Sequence, residues 1–270
     1  MWERRLDQLL KAVILGVVQG LTEWFPISST GHLKVCEKLL GLSLPMLFEV
    51  VFHVGTLMVV LVFFRNDVKA LLKALACLDF KSEYGRLMPL VFVGTVPTAV
   101  IGWLFYEFLE KAFQDFSIIA LAFIVCGVIL YLAKVGREKI GDIGFKEAFL
   151  VGIAQGLAVI PGLSRSGLTI AVSLLIGVKR EKAFKFSFLL SIPAVVGALA
   201  LTLYREFDAL FASSFGFVEV VVGAITALFV GYSALKLLWK TVSKGKFHLF
   251  AFYCWGVGFF LLLALLHSVL

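Results

Sequence analysis

Residues 116 to 133 run without a charged side chain, and 47–64, 87–106, 186–204, 217–235 and 247–269 are similarly apolar. A helix needs about 20 apolar residues to cross a hydrocarbon core of about 30 Å. Each of the six stretches is therefore a candidate membrane-spanning helix. The rest of the composition agrees. The 270 residues are 61% hydrophobic and 16% charged, with a mean hydropathy of +1.01. Soluble domains carry about 25% charged residues, so this chain cannot cover a water-exposed surface. The 27 Phe and 24 Gly suit lipid-facing bulk and close helix contacts. The start, "MWERRLDQLLKAV", has no small-residue cleavage site, so insertion is expected to use the first hydrophobic segments themselves.

Charge alternates along the connections. Lys and Arg number five in 65–86, one in 107–115, four in 134–146, one in 205–216 and four in 236–248. The positive-inside rule makes the basic connections cytoplasmic. Arg4, Arg5 and Lys11 oppose that assignment. The net charge of +7 reads as topology and not as a nucleic-acid surface. Cys36, Cys77, Cys126 and Cys254 have no CxxC spacing, which supports neither a disulfide framework nor a zinc site.

Two regions, 9–43 and 147–178, do not fit as spans. Their arms "LLKAVILGVVQGLT" and "EAFLVGIAQGLAVI" have 14 residues. That is a helical reach of about 21 Å, and a Pro/Gly/Ser break and a second short arm follow each. They read as re-entrant helical hairpins, tolerated at membrane depth where the broken backbone is buried or lines a wet cavity. With a shift of 136 residues, "GVVQGLTEWFPISSTGHL" (16–33) falls on "GIAQGLAVIPGLSRSGLT" (152–169), and Gly16/Gly152, Gln19/Gln155, Gly20/Gly156, Ser28/Ser164 and Gly31/Gly167 are identical. The expected architecture is a single all-α membrane domain of two repeats, 1–134 and 135–270, each one hairpin plus three spans. Three is odd, so the second repeat is expected to be inverted, with the two hairpins face to face near the midplane.

Such a meeting would aim two helix N-termini into one cavity, an arrangement suited to an anion. Arg165 adds a two-donor grip matched to phosphate, and Ser28, Ser29, Thr30, Ser164, Ser166 and Thr169 add hydroxyls. The halves differ where chemistry would need it. Glu23 and His32 face Val159 and Leu168 in the second copy, and Arg165 replaces Ser29. Gln19 and Glu23 share a helix face and are candidate ligands for a hard divalent cation, Mg²⁺ or Ca²⁺. His32 lies one turn from Ser29. Glu49 and His53, at i and i+4 on the next span, are candidates to extend the site. Gly94, Pro97, Pro193 and Gly197 read as kink and packing residues.

The runs "QGLTE", "PISSTGH", "FEVVFHVGTL" and "PGLSRSG" with Thr169 resemble, over the whole chain, the undecaprenyl-diphosphate phosphatase family, membrane enzymes associated with bacitracin resistance. That family carries an E/Q-x-x-x-E pair, of which Gln19 is the allowed variant. The resemblance implies hydrolysis of undecaprenyl diphosphate to the monophosphate carrier of cell-wall synthesis, in the bacterial plasma (inner) membrane, at a site open to the outer face. The partners expected are the polyprenyl diphosphate and membrane lipids, with no nucleic acid and with a homodimer left open. Three nucleophiles stand: Ser29 activated by His32 or Glu23, His32 itself, or water activated by Glu23. Ser29 with His32 nearby is preferred. The rival class is a polyprenyl-phosphate flippase built on the same inverted repeat.

Overall fold

The computed structural model describes residues 2–42, 46–206 and 216–267. Among them are twelve α-helices: α1 (Trp2–Trp24), α2 (Ser29–Leu39), α3 (Met46–Phe63), α4 (Arg65–Ala76), α5 (Glu83–Leu104), α6 (Tyr106–Ala112), α7 (Phe116–Leu132), α8 (Phe145–Leu157), α9 (Arg165–Leu175), α10 (Arg180–Glu206), α11 (Phe217–Ser243) and α12 (Phe250–Leu266). The protein is an all-helical, multi-pass membrane protein. Among the described residues five helices are long and apolar enough to cross by themselves, or up to six if α3 and α4, bent by 85°, count as one span.

The 136-residue spacing also relates the bounds of several elements. Adding 136 to the bounds of α2 gives the bounds of α9, and α5 and α7 fall within a few residues of α11 and α12. The packing follows the same rule. The first arm of each hairpin lies along a long helix of the other half, α1 on α11 and α8 on α5, while α7 pairs with α12 and α3 with α10. Both crossings depend on glycine. A methyl group on Gly16 would lie 2.4 Å from the carbonyl oxygen of Gly223, and one on Gly152 would lie 2.2 Å from that of Gly94. Small residues spaced by four, Gly16/Gly20 and Gly152/Gly156, let membrane helices approach this closely.

The two first arms are not equally short. α8 has 13 residues, as its 14-residue apolar arm suggests, whereas α1 has 23 because the polar segment before its apolar arm continues the helix. Glu, Arg, Leu and Gln are good helix formers, and Leu6, Asp7 and Leu10 are exposed there. The basic ends are tied across the halves by Lys185 to Asp67 (2.6 Å) and by Lys182 to Glu83 (3.2 Å), and Lys182 also meets Asp142 of its own half (3.2 Å).

Candidate active site

Each hairpin breaks in the same way. Ser28 and Ser164 cap α2 and α9, their hydroxyls accepting from the amides of Gly31 (3.3 Å) and Gly167 (3.1 Å). Such caps satisfy amides that a helix start leaves open. The breaks then hold one another. Ser28 Oγ also accepts from the amide of Gly162 in the second break (3.1 Å), and Ser166 Oγ donates to the carbonyl of Trp24 in the first (3.1 Å). Ser28 adopts φ of +66°, a strained conformation for a residue with a side chain.

This contact brings Glu23, Ser29 and Arg165 together. Glu23 is buried and accepts from four side chains: Ser29 Oγ at 2.7 Å, Gln19 Nε2 at 3.2 Å and His53 Nε2 at 3.2 Å on Oε2, and Arg165 Nη2 at 2.5 Å on Oε1. Arg165 sits 5.9 Å from the rings of both Trp24 and Phe188, so its guanidinium is walled by aromatic faces. Its second terminal nitrogen, Nη1, is buried with no protein partner, a donor still available to an anion.

Glu23, Ser29, Thr30, His53, Ser164 and Arg165 form the polar end of a cavity of about 410 Å³. Its walls are mostly apolar, drawn from α5 (Ala99, Trp103) and from α10 (Val195, Ala198, Leu201). A molecule with an anionic head and a hydrocarbon tail matches this lining. Thr95, Thr98 and Gln155 also line it, and none of the three was a sequence candidate. Gln155 donates to Thr98 Oγ1 and to the Leu190 carbonyl, both at 3.3 Å. Its correspondence with Gln19 was the available signal.

Other candidates lie elsewhere. His32 is turned away from Ser29: Nδ1 donates to the Ser28 carbonyl at 2.7 Å, Nε2 meets the Tyr253 hydroxyl at 2.8 Å, and the ring packs edge-on to Phe123. One helical turn of separation did not fix the direction of the ring, because α7 and α12 offered it partners on the other side. His53, expected only to extend the site, instead touches Glu23 directly. Ser28 and Ser166 spend their hydroxyls joining the breaks, and Thr169 bonds the Arg165 carbonyl (2.8 Å) and Ser187 (2.5 Å). Glu49 belongs to α3, but its side chain lies outside the described residues.

Among the described residues no three His, Cys, Asp or Glu side chains gather into a metal site. Gln19 Oε1, however, is buried without a partner beside the Glu23 carboxylate. One amide oxygen and one carboxylate are a minimal oxygen set, fitting a cation that takes its other ligands from phosphate and water.

Fold and site together define a membrane protein with a buried carboxylate–hydroxyl–guanidinium centre shared by two broken hairpins. Comparison with known proteins gives the particular family. Residues 12–260 match the family described as Bacitracin resistance protein BacA, and the chain belongs to that family. Curated relatives named undecaprenyl-diphosphatase include one from Carboxydothermus hydrogenoformans, 43% identical over 92% of this chain and 94% of its own length. Another, from Desulforapulum autotrophicum, is 41% identical over 95% and 98%. A third, from Halothermothrix orenii, is 38% identical over 95% and 98%.

Proposed function

We propose that this protein hydrolyses undecaprenyl diphosphate to undecaprenyl phosphate and inorganic phosphate. The observation that carries the reading is the short contact of Ser29 with Glu23 beside the open nitrogen of Arg165, at the polar end of an apolar cavity. In the mechanism, Ser29 Oγ attacks the terminal phosphorus while its proton passes to Glu23 along the 2.7 Å hydrogen bond. The bond from that phosphorus to the bridging oxygen breaks, and its electron pair leaves on undecaprenyl phosphate. Water then attacks the phosphoserine, the bond to Ser29 Oγ breaks, and a proton returns to that oxygen as phosphate departs. Arg165 steadies the charge on the equatorial oxygens, which is where most catalysis of phosphoryl transfer lies. His53 and Gln19 hold the carboxylate in line.

A phosphohistidine route through His32 lacks support, since both ring nitrogens are engaged away from the cavity. We include Gln19 and Glu23 as the holders of a divalent cation, Mg²⁺ or Ca²⁺, which would neutralise phosphate charge there. The relation of the halves is proposed as an inverted repeat, and the membrane as the bacterial inner membrane. Charge supports an outward-facing site: α5 and α10 run from basic connections toward Trp103 and Leu201, the wall of the cavity, near connections holding one basic residue each. Neither the architecture nor the relatives' names favour the transport alternative.

The test is phosphate release from undecaprenyl diphosphate by purified protein, with Mg²⁺ and with EDTA, beside a vesicle assay of lipid sidedness. Release that depends on the cation is expected. Movement of the lipid between leaflets without any phosphate release would replace this reading with transport.

A further inference from the structure

We infer that a second cavity, next to the first and lined by Lys34, Lys38 and Lys111, holds a phosphate group on its way to or from Ser29. Its place in the reaction rests on the phosphatase reading, whereas the binding site rests on the residues themselves. The cavity measures about 610 Å³ and lies between the end of α2, the connection from α6 to α7 and the end of α12. Phe113 lines both cavities, so the two share that wall.

One helix leads from the first cavity into the second. α2 presents Thr30 to the first, and Lys34 and Lys38 to the second. Residues spaced by four share a helix face, so the three form one stripe. Thr30 adjoins Ser29 in sequence, and about 12 Å of helix separates it from Lys38.

The charge of the second cavity favours an anion. Two acids line it, and both are engaged: Glu37 Oε2 meets Lys34 Nζ at 3.1 Å, and Asp115 accepts from the amides of Ser117 (2.8 Å) and Ile118 (3.4 Å) at the start of α7. The Lys34 ammonium also lies 5.9 Å from the centre of the Phe113 ring, at the shared wall. Lys38 and Lys111 are exposed, and among the described residues neither has an acidic partner. Lys111 is the one basic residue of the connection 107–115, which the positive-inside rule places outside, so topology does not account for it. Two such ammonium groups on one cavity suit a multiply charged phosphate. Their flexible stems hold it less rigidly than the planar fork of Arg165, which fits a waiting position and not the reacting one.

The phosphate belongs either to the arriving lipid head group or to the departing inorganic phosphate, and one experiment separates them. The full chain in detergent is acetylated with a limiting amine reagent, and each lysine is read by peptide mass. Inorganic phosphate and undecaprenyl phosphate are added separately. Lys69 and Lys73, exposed on α4 and lining neither cavity, are internal controls. At twice the dissociation constant, Lys38 and Lys111 are expected to be protected about threefold over the controls. Protection by the lipid assigns the head group, and protection by inorganic phosphate alone assigns the product. Acetylation that neither ligand slows overturns the site.

Turnover by the chain carrying Lys38→Gln and Lys111→Gln gives the second arm. For a docked head group, kcat/KM is expected to fall about tenfold at low salt, and the difference from wild type to shrink as salt rises. For departing phosphate, inhibition by added phosphate is expected to weaken about tenfold instead. A loss carried by kcat and indifferent to salt would make the lysines structural and overturn the inference. Wild type that releases no phosphate removes the phosphatase reading but leaves the acetylation result standing.

Discussion

Arg165 and Glu23 belong to different hairpins, yet Arg165 Nη2 lies 2.5 Å from Glu23 Oε1 while Nη1 of the same guanidinium has no protein partner. One arm of the fork is anchored and the other is offered. In the proposed reaction, that division lets a guanidinium be fixed at membrane depth and still take an incoming phosphate.

Arg165→Lys should therefore fail although the charge is kept. A point ammonium cannot hold Glu23 and phosphate in one plane, and kcat/KM is expected to drop about a hundredfold. Phosphate release across a substrate titration measures it; near-wild-type turnover would remove Arg165 from the phosphate site.

Ser28 predicts a different signature. Its hydroxyl serves Gly31 and Gly162, so Ser28→Ala leaves buried amides unpaired, at a cost of about 1–3 kcal/mol per group. Thermal unfolding in detergent should show a midpoint lower by about 2–4 °C for each kcal/mol lost. An unchanged midpoint would contradict its role as the link between the breaks.

Glycine contacts give a third test. Gly152→Ala would drive a methyl group to 2.2 Å from the Gly94 carbonyl oxygen, whereas Gly256 has nothing within 4 Å. Gly152→Ala should lower the midpoint and the yield of monodisperse protein. Gly256→Ala should hold or raise stability, since alanine favours a helix by about 1 kcal/mol.

The two histidines should separate in kinetics. His53→Ala removes a donor from Glu23 and is expected to lower kcat. His32→Ala and Tyr253→Phe act through one shared contact, so their effects should be non-additive by about 0.5–3 kcal/mol in a double-mutant cycle. Strict additivity would show that the His32–Tyr253 bond has no functional weight.

Much of this organisation is legible in the sequence. The 136-residue self-match located both helix breaks, because a polar break within apolar sequence survives as a pattern even where side chains diverge. Glu23, Ser29 and Arg165 were legible for the same reason: each departs from its counterpart in the other half. Directions were not. His32 shares the correct helix with Ser29, but the choice of face was made by Tyr253 and Phe123, far away in sequence. Spacing likewise could not show that Ser28 and Ser166 join the breaks, since that depends on Gly162 and Trp24 meeting them. Apolar length does not show the polar extension of α1, which helix propensity and not hydropathy carries.

The most direct test of a single phosphatase site built by both hairpins is phosphate release from undecaprenyl diphosphate by wild type and by Ser29→Ala, each confirmed folded by its thermal midpoint. Wild type should release one phosphate per diphosphate consumed, and Ser29→Ala should be slower by about a thousandfold or more, as when other serine nucleophiles are removed. Wild-type turnover by Ser29→Ala would show that Ser29 is not the nucleophile and that the arrangement around Glu23 serves another purpose.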